Sequence, residues 1–231
     1  MDKIIFEKQS KYAKIQLFED IEDKHITLCL DGFVQFEEGE NEQTYHRVLT
    51  IPIMAHLKNI KKVAILGGGD GLAARNLLQV KPRLNITLVD IDKDVVDLCR
   101  KHPKIVKINE GSLDKVNIII CDAKVWVLAT EEKFDAVICD FPDPTNKDLE
   151  ALYTVGFYRN ISRILKDNGI VSIQAGNNWI KTFNNAMIVF KEVRCLRYSM
   201  YGSFGQIVYG KNGRAGCKNQ QVKEILLGSY K

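Results

Sequence analysis

The segment ILGGGDGLAAR, residues 65–75, joins an apolar run to a helical pattern through a glycine-rich turn. Turns of this kind usually bind anions, because free backbone N–H groups and the positive end of the helix dipole point at the ligand. Asp70 lies in the middle of this turn and would repel a phosphate. The segment therefore predicts a ligand that approaches the backbone closely at Gly67 and Gly69 and tolerates a carboxylate beside it.

Strand-like and helical patterns alternate on both sides of this turn. The predicted strands are the apolar runs KVAILG, NITLVDID, VNIIICDA, FDAVICDF and IVSIQAG. The predicted helices are LAARNLLQV, KDVVDLCRKH and YTVGFYRNISRILKDNG, the last with Gly169 as its stop. Near-continuous apolar strands that alternate with helices are typical of a mainly parallel sheet covered on both faces, so we expect an α/β fold.

The first 57 residues have a different pattern and predict a small β domain, with the larger α/β domain at 58–231. AKIQLF (13–18) alternates polar and apolar residues, and Asp31-Gly32 divides residues 26–36 into a predicted hairpin. Residues 42–57 predict a helix that Pro52 interrupts.

Toward the C-terminus, CLRYSMYG and FGQIVYG predict a closing antiparallel hairpin. We expect residues 211–231 to form a loop and a short helix.

Composition narrows the class of protein. The chain has 231 residues, a net charge of +4 and 45% hydrophobic residues, as in ordinary soluble domains. We expect no membrane span and no secretion signal, because no apolar run is long enough. The six cysteines form no C-x-x-C pair, which predicts a reduced cytoplasmic protein without a metal site. Lys and Arg are scattered, which argues against nucleic-acid binding.

Acidic residues follow four of the predicted strands, at Asp70, Asp90, Asp122, Asp140 and Asp143. The carboxyl ends of parallel strands meet at one edge of a sheet, where such folds bind ligands. Any one of these acids is explained almost as well by a helix cap or a turn. Five at one edge repel one another, which favours a ligand that compensates their charge.

The acids divide into two groups by position. Asp90 comes 20 residues after Asp70, the usual place for an acid that binds ribose hydroxyls, and Asp122 is placed to accept a hydrogen bond from an adenine amino group. Asp70, Asp140 and Asp143 suit a cationic ligand. A sulfonium nucleoside with an amine co-substrate fits this set, whereas the pyrophosphate of NAD would meet Asp70. ATP is disfavoured because the chain has no P-loop lysine.

Residues 8–178 resemble the spermidine synthase (polyamine aminopropyltransferase) family. The matching stretches are QSKYAKIQLFED, LDGFVQFEEGENEQTYH, VAILGGGDG, LVDID, CDA, FDAVICDFPDP and LYTVGFYRNISRILKDNGIVSIQAG. The resemblance implies a small N-terminal β domain and a Rossmann-like domain of the class I methyltransferase type. It also implies transfer of an aminopropyl group from decarboxylated S-adenosylmethionine to putrescine or a related amine, with no metal or other cofactor, by a homodimer or homotetramer.

The resemblance also assigns roles to individual residues. Asp140 matches the catalytic acid and Asp143 its companion in the D-x-x-D-P motif. Asp70 matches the acid that contacts the cationic end of the substrates, and Tyr45 with His46 matches the pair flanking the amine channel. Asp90 and Asp122 match the ribose and adenine positions. Tyr198 and Tyr201 both compete for the family's C-terminal tyrosine, for which we take Tyr201.

Several positions depart from the family pattern. Ala13 stands where a glutamine is usual, Arg47 where a glutamate is usual, and Leu72 where a glycine is usual, and Lys147 lies in TNKD where Gly-Pro is usual. Two other interpretations stay open on these grounds. One is an S-adenosylmethionine-dependent methyltransferase, which shares the fold and the ribose acid. The other is a polyamine- or nucleoside-binding homologue without catalytic activity.

Overall fold

Two β-sheets organise the chain, seen in a computed structural model that describes residues 2–56, 60–200, 203–213 and 225–226. The first sheet is antiparallel, in the order β1-β2-β3-β4. Its strands are β1 (Asp2–Gln9), β2 (Lys14–Asp20), β3 (Ile26–Leu30) and β4 (Phe33–Glu37). The predicted hairpin is confirmed, because Asp31 and Gly32 join β3 to β4 with φ of 50° and 79°, as a tight hairpin turn requires.

Helix α1 (Glu40–Met54) leads from this sheet to the rest of the chain. It packs against the helix that follows the glycine-rich turn and against several strands of the second sheet. The predicted interruption at Pro52 is wrong, because the helix continues to Met54. Pro52 lies in the last turn, where the loss of one backbone hydrogen bond is tolerated more easily than in the middle of a helix. The boundary that we place between residues 57 and 58 stays a prediction.

The second sheet has the order β12-β10-β11-β9-β8-β5-β6-β7. Its strands are β5 (Lys62–Gly67), β6 (Asn85–Asp90), β7 (Asn117–Ile120), β8 (Phe134–Asp140), β9 (Leu165–Gln174), β10 (Lys191–Met200), β11 (Ser203–Lys211) and β12 (Ile225–Leu226). Strands β5 to β9 are parallel, and β11 and β10 extend the sheet antiparallel, so the mainly parallel fold is confirmed. The chain leaves β5 toward β6 on one side and returns at β8 on the other, which creates a switch point between β5 and β8.

Helices cover both faces of this sheet, as the strand pattern predicts. They are α2 (Leu72–Val80), α3 (Lys93–Lys101), α4 (Pro103–Asn109), α5 (Ala123–Ala129), α6 (Lys147–Glu150), α7 (Val155–Ile164) and α8 (Trp179–Val189). Side chains of β5 alternate between two hydrophobic clusters: Val63 and Ile65 join the one shared with α1 and the first sheet, and Ala64 and Leu66 join the one under α7 and α8. The site described below is therefore built on a strand buried on both faces.

The predicted helix stop at Gly169 is wrong. Helix α7 ends at Ile164, five residues before Gly169. Strand β9 begins at Leu165 and runs through Gly169 to Gln174. The amide of Asn212 donates hydrogen bonds to the carbonyl oxygens of Ser162, Leu165 and Lys166, which satisfies carbonyls that a helix end leaves free. This cap comes from a residue far along the chain, so a local pattern does not indicate it.

The C-terminal hairpin is confirmed as β10 and β11. The short helix predicted within 211–231 lies almost wholly outside the described residues. Of the residues described there, Lys211 ends β11, and Ile225 and Leu226 pair with β10 as a strand. Among the described residues, every helix is too short or too polar to cross a lipid bilayer.

Candidate active site

The glycine turn after β5 brings the backbone close to two of the predicted acids. Gly67 has a φ of +81°, and a Cβ added there would lie 2.1 Å from the carbonyl oxygen of Asp140. A Cβ on Gly69 would lie 2.7 Å from Oδ2 of Asp90. The glycines are therefore needed for close packing of the turn against β6 and β8. Leu72 is fully buried as the first residue of α2, so this departure from the family pattern packs the helix into the core.

Asp90 ends β6 directly beside the glycine turn. Its Oδ2 accepts a hydrogen bond from the Gly69 backbone N–H at 3.0 Å, and its Oδ1 accepts one from the Asp92 N–H at 2.8 Å. Burial raises the pKa of Asp90 to about 6, although these two hydrogen bonds oppose the shift. Asp92 caps α3 by accepting from the Asp94 N–H, and the Ser10 hydroxyl donates to Asp92 at 2.5 Å.

Asp122 follows β7 and caps α5. Its Oδ1 accepts a hydrogen bond from the Lys124 N–H at 2.7 Å, and the Lys124 ammonium lies 3.7 Å from Oδ2. The structure thus gives Asp122 the capping role that any acid after a strand can have. Its carboxylate is about one third exposed, with 32% of its side-chain surface accessible, so an adenine amino group can still reach it.

Asp140 ends β8 next to β5, at the switch point. Gly67 is its register partner across the parallel pair, and the Tyr45 hydroxyl of α1 donates a hydrogen bond to Asp140 Oδ1. Burial, together with the nearby Asp70 carboxylate, raises the pKa of Asp140 to about 6, although His46 and the Tyr45 hydroxyl oppose the shift. Burial and the Asp140 charge hold the pKa of Tyr45 well above its usual range, so Tyr45 acts as a hydrogen-bond donor.

Asp143 is held by a residue that the sequence reasoning missed. Gln174, at the end of β9, donates from its amide to Asp143 Oδ1 at 2.8 Å, and Tyr153 donates its hydroxyl to Gln174 at 2.9 Å. Gly176 allows this arrangement, because a Cβ there would lie 1.7 Å from Asp143 Oδ1. The position of Gln174 at a strand end was the available signal. The sequence offers no such signal for Tyr153, since this residue lies in a helical pattern.

His46 lies beside Asp70 within a buried chain of charged groups. Its Nε2 is 3.9 Å from Asp70 Oδ2, and its Nδ1 is 2.9 Å from Glu42 Oε1. Glu42 in turn accepts two hydrogen bonds from the Arg75 guanidinium, at 2.7 and 3.2 Å. Sequence reasoning missed Glu42 and Arg75, although both lie within quoted stretches of sequence.

Of the two candidates for the family's C-terminal tyrosine, only Tyr198 lies within the described residues. Tyr201 lies outside the described residues. Tyr198 is buried on β10, with its ring centroid 6.2 Å from that of Tyr45. Burial, followed by the charges of Asp140 and Asp143, raises the pKa of Tyr198. Tyr198 therefore borders the same site as Tyr45.

The site presents negative charge that protein cations leave largely uncompensated. Within the described ranges, no Lys or Arg forms an ion pair with Asp70, Asp90, Asp140 or Asp143, and only His46 approaches one of them. Those ranges also hold no group of three His, Cys, Asp or Glu side chains arranged to bind a metal ion. Buried carboxylates without a counter-charge are unfavourable, so the arrangement suits a cationic ligand.

Comparison with known proteins agrees with this geometry. The family model "Spermine/spermidine synthase domain" matches residues 42–199. The chain is 40% identical over 176 residues to the polyamine aminopropyltransferase of Oceanobacillus iheyensis, covering 75% of this chain and 34% of that protein. It is 32% identical over 241 residues to the enzyme of the same name from Thermococcus onnurineus, covering 98% of this chain and 83% of that protein.

Solved structures show the same fold. A spermidine synthase in complex with the transition-state analogue AdoDATO superposes with a TM-score of 0.82 at 25% identity, over 91% of this chain and 74% of that one. Spermidine synthase from Thermotoga maritima gives 0.80 at 26% identity, over 91% and 73%. The chain spans about a third to a half of the length of the first curated relatives that it matches. On the domain match and these identities, the chain belongs to the spermine/spermidine synthase family.

Proposed function

We propose that the chain transfers the aminopropyl group of decarboxylated S-adenosylmethionine to putrescine or a related amine and releases 5′-methylthioadenosine. The observation that carries this proposal is the acidic edge at Asp70, Asp140 and Asp143, which lacks Lys or Arg partners in the described part of the chain. A sulfonium and two or more ammonium groups would supply the missing positive charge. The names of the relatives support the same chemistry.

The proposed reaction is a direct displacement. A neutral amine nitrogen attacks the methylene carbon beside the sulfonium, a C–N bond forms, and the C–S bond breaks with its electrons going to sulfur. The sulfonium is already an activated leaving group, so the protein mainly positions the two substrates. We propose that no metal or other cofactor takes part.

The acceptor amine must lose a proton before it attacks, because alkyl ammonium groups have pKa values of roughly 10. Asp140 is the proposed proton acceptor, with the Tyr45 hydroxyl fixing its Oδ1. Asp143, oriented by Gln174, would hold the distant ammonium of the acceptor. Asp70 would hold the ammonium of the donor's aminopropyl chain.

The nucleoside would lie against the glycine turn. Gly67 and Gly69 keep side-chain atoms away from this surface, Asp90 would bind the ribose hydroxyls, and Asp122 the adenine amino group. The methyltransferase alternative fits less well, because the amino-acid carboxylate of intact S-adenosylmethionine would approach Asp70 and Asp140. We further propose a cytoplasmic homodimer or homotetramer acting on small molecules, without nucleic acid or membrane.

Purified protein, decarboxylated S-adenosylmethionine and a panel of amines test this function. The panel is putrescine, cadaverine, spermidine and diaminopropane. We expect methylthioadenosine to appear only when donor and an amine are both present. Methyl transfer from intact S-adenosylmethionine would support the methyltransferase, and tight binding of methylthioadenosine with no turnover of any amine would support the inactive homologue.

A further inference from the structure

His46 has one ring nitrogen engaged and the other unpaired. Its side chain is 1% exposed, and Nδ1 lies 2.9 Å from both the backbone carbonyl and the carboxylate Oε1 of Glu42. Both of these groups can only accept a hydrogen bond, so Nδ1 carries the proton. Nε2 is buried without a hydrogen-bond partner among the described residues, and the nearest carboxylate oxygen is that of Asp70, 3.9 Å away. Nε2 therefore points toward the acids of the site.

Glu42 is itself fixed from the other side. Its side chain is 2% exposed, and the guanidinium of Arg75 binds both of its carboxylate oxygens. The remaining Arg75 donors go to the Asn76 side chain and the Ile108 carbonyl, so Arg75 is held in one orientation. Bidentate arginine–carboxylate pairs are among the most directional contacts in proteins.

We propose that Glu42, held by Arg75, is a positioning residue that fixes the His46 ring with Nδ1 protonated and Nε2 directed at Asp70, and so keeps a positive charge beside the site's acids. The contacts of Glu42 carry the positioning role itself. Its effect on catalysis rests on the proposed function. A carboxylate that orients a histidine is a recurring arrangement in active sites.

The charges around His46 favour its cationic form. Burial alone would lower the pKa of His46, but the Glu42 carboxylate, then Asp70 and Asp140, outweigh burial and raise it. The groups that face the ring come from α1, the β5–α2 turn and β8, namely Glu42, Tyr45, Asp70 and Asp140. A cationic His46 in turn opposes the rise in the pKa of Asp140. Loss of the Glu42 charge should therefore reach Asp140 through His46.

The test replaces Glu42 by its neutral isostere and follows His46 directly. Long-range 1H–15N spectra report the charge and tautomer of each imidazole, with His46 assigned from a His46→Gln spectrum. In Glu42→Gln we expect the pKa of His46 to fall by at least one unit. The acid limb of the kcat/KM profile should move to higher pH in the same variant, because Asp140 loses a cationic neighbour. Glu40→Gln, an exposed acid of the same helix, is the matched control and should change neither.

Two outcomes would overturn the proposal. An unchanged His46 titration in folded Glu42→Gln overturns it, even if activity falls. If that variant does not fold, Glu42→Gln/Arg75→Gln removes both charges of the pair and is expected to lower the His46 pKa in the same way. In the unaltered protein, a neutral His46 with its proton on Nε2 would also overturn it. These spectra need no substrate, so a shifted titration without any aminopropyl transfer would support Glu42 and count only against the proposed function.

Discussion

The carboxylate of Asp140 illustrates how the proposed catalytic acid lowers stability. Its ordinary pKa of 3.8 rises to about 6 in the folded chain, chiefly because it is buried. Above pH 6 the folded protein must carry this charge in a poor environment, whereas the unfolded chain carries it in water. The contribution of Asp140 to the free energy of unfolding is therefore fully present below about pH 4 and is lost as pH rises through 6.

This linkage predicts the effect of Asp140→Asn on stability. The substitution removes the buried charge and keeps an oxygen that accepts from Tyr45. We expect the free energy of unfolding to rise at pH 8 by up to about 3 kcal/mol, because one pKa unit corresponds to roughly 1.4 kcal/mol. Urea denaturation of both proteins at pH 8 and pH 4.5 measures the difference in free energy of unfolding, which should be smaller at the lower pH. Equal stability of the two proteins at pH 8 would refute a raised pKa at Asp140.

The turn between β5 and α2 shows how an element sets the site. Gly67 and Gly32 have nearly the same backbone conformation, with φ of +81° and +79°. A Cβ on Gly67 would meet the Asp140 carbonyl, whereas a Cβ on Gly32 would meet nothing within 4 Å. Substitutions at these two glycines can therefore distinguish the stability cost of backbone strain from that of close packing.

We expect Gly32→Ala to cost about 1–2 kcal/mol, which is the left-handed strain alone. Gly67→Ala should cost a further 1–3 kcal/mol, roughly the price of overpacking, and should weaken nucleoside binding because the turn must move away from β8. Denaturation curves and calorimetry with methylthioadenosine measure both effects. Equal costs for the two variants would show that the turn does not pack against Asp140 as described.

Sequence patterns predict the elements whose signal is local. The apolar runs of β5, β6, β8 and β9 have both faces buried, whereas β7, at the edge of the sheet, is only partly buried. The order of the parallel strands places Asp70, Asp90 and Asp140 at one edge. Strand β1 has no such pattern, since most of its side chains are exposed. The end of α7 depends on Asn212, far along the chain. The pairing of Glu42 with Arg75 joins residues 33 positions apart, so no spacing rule indicates it.

At the scale of the whole molecule, the first sheet ends in an unprotected edge. Phe33 and Val34 on β4 are 64% and 52% exposed, and no strand of the described part of the chain pairs with the outer side of β4. An exposed apolar edge strand is prone to pair with another chain. It is therefore the surface through which we expect copies of this chain to associate.

Light scattering on the purified protein should give a mass of at least a dimer, and Phe33→Lys should shift it toward the monomer, since a buried charge at the contact is unfavourable. Leu128→Lys places the same charge on α5 at a similarly exposed position and is the control. An unaltered protein that is monomeric at high concentration, or a Phe33→Lys variant with unchanged mass, would rule out this surface.

The central claim is that the acidic edge at the β5–β8 switch point carries out aminopropyl transfer. Its most direct test is the rate of methylthioadenosine release from decarboxylated S-adenosylmethionine and the best amine, in the unaltered protein and in Asp140→Asn. Loss of a general base predicts a fall in kcat of about 10²–10⁴-fold, with methylthioadenosine affinity retained. Asp97→Asn, which removes a surface acid of α3, should keep the full rate. A full rate in Asp140→Asn would contradict the account.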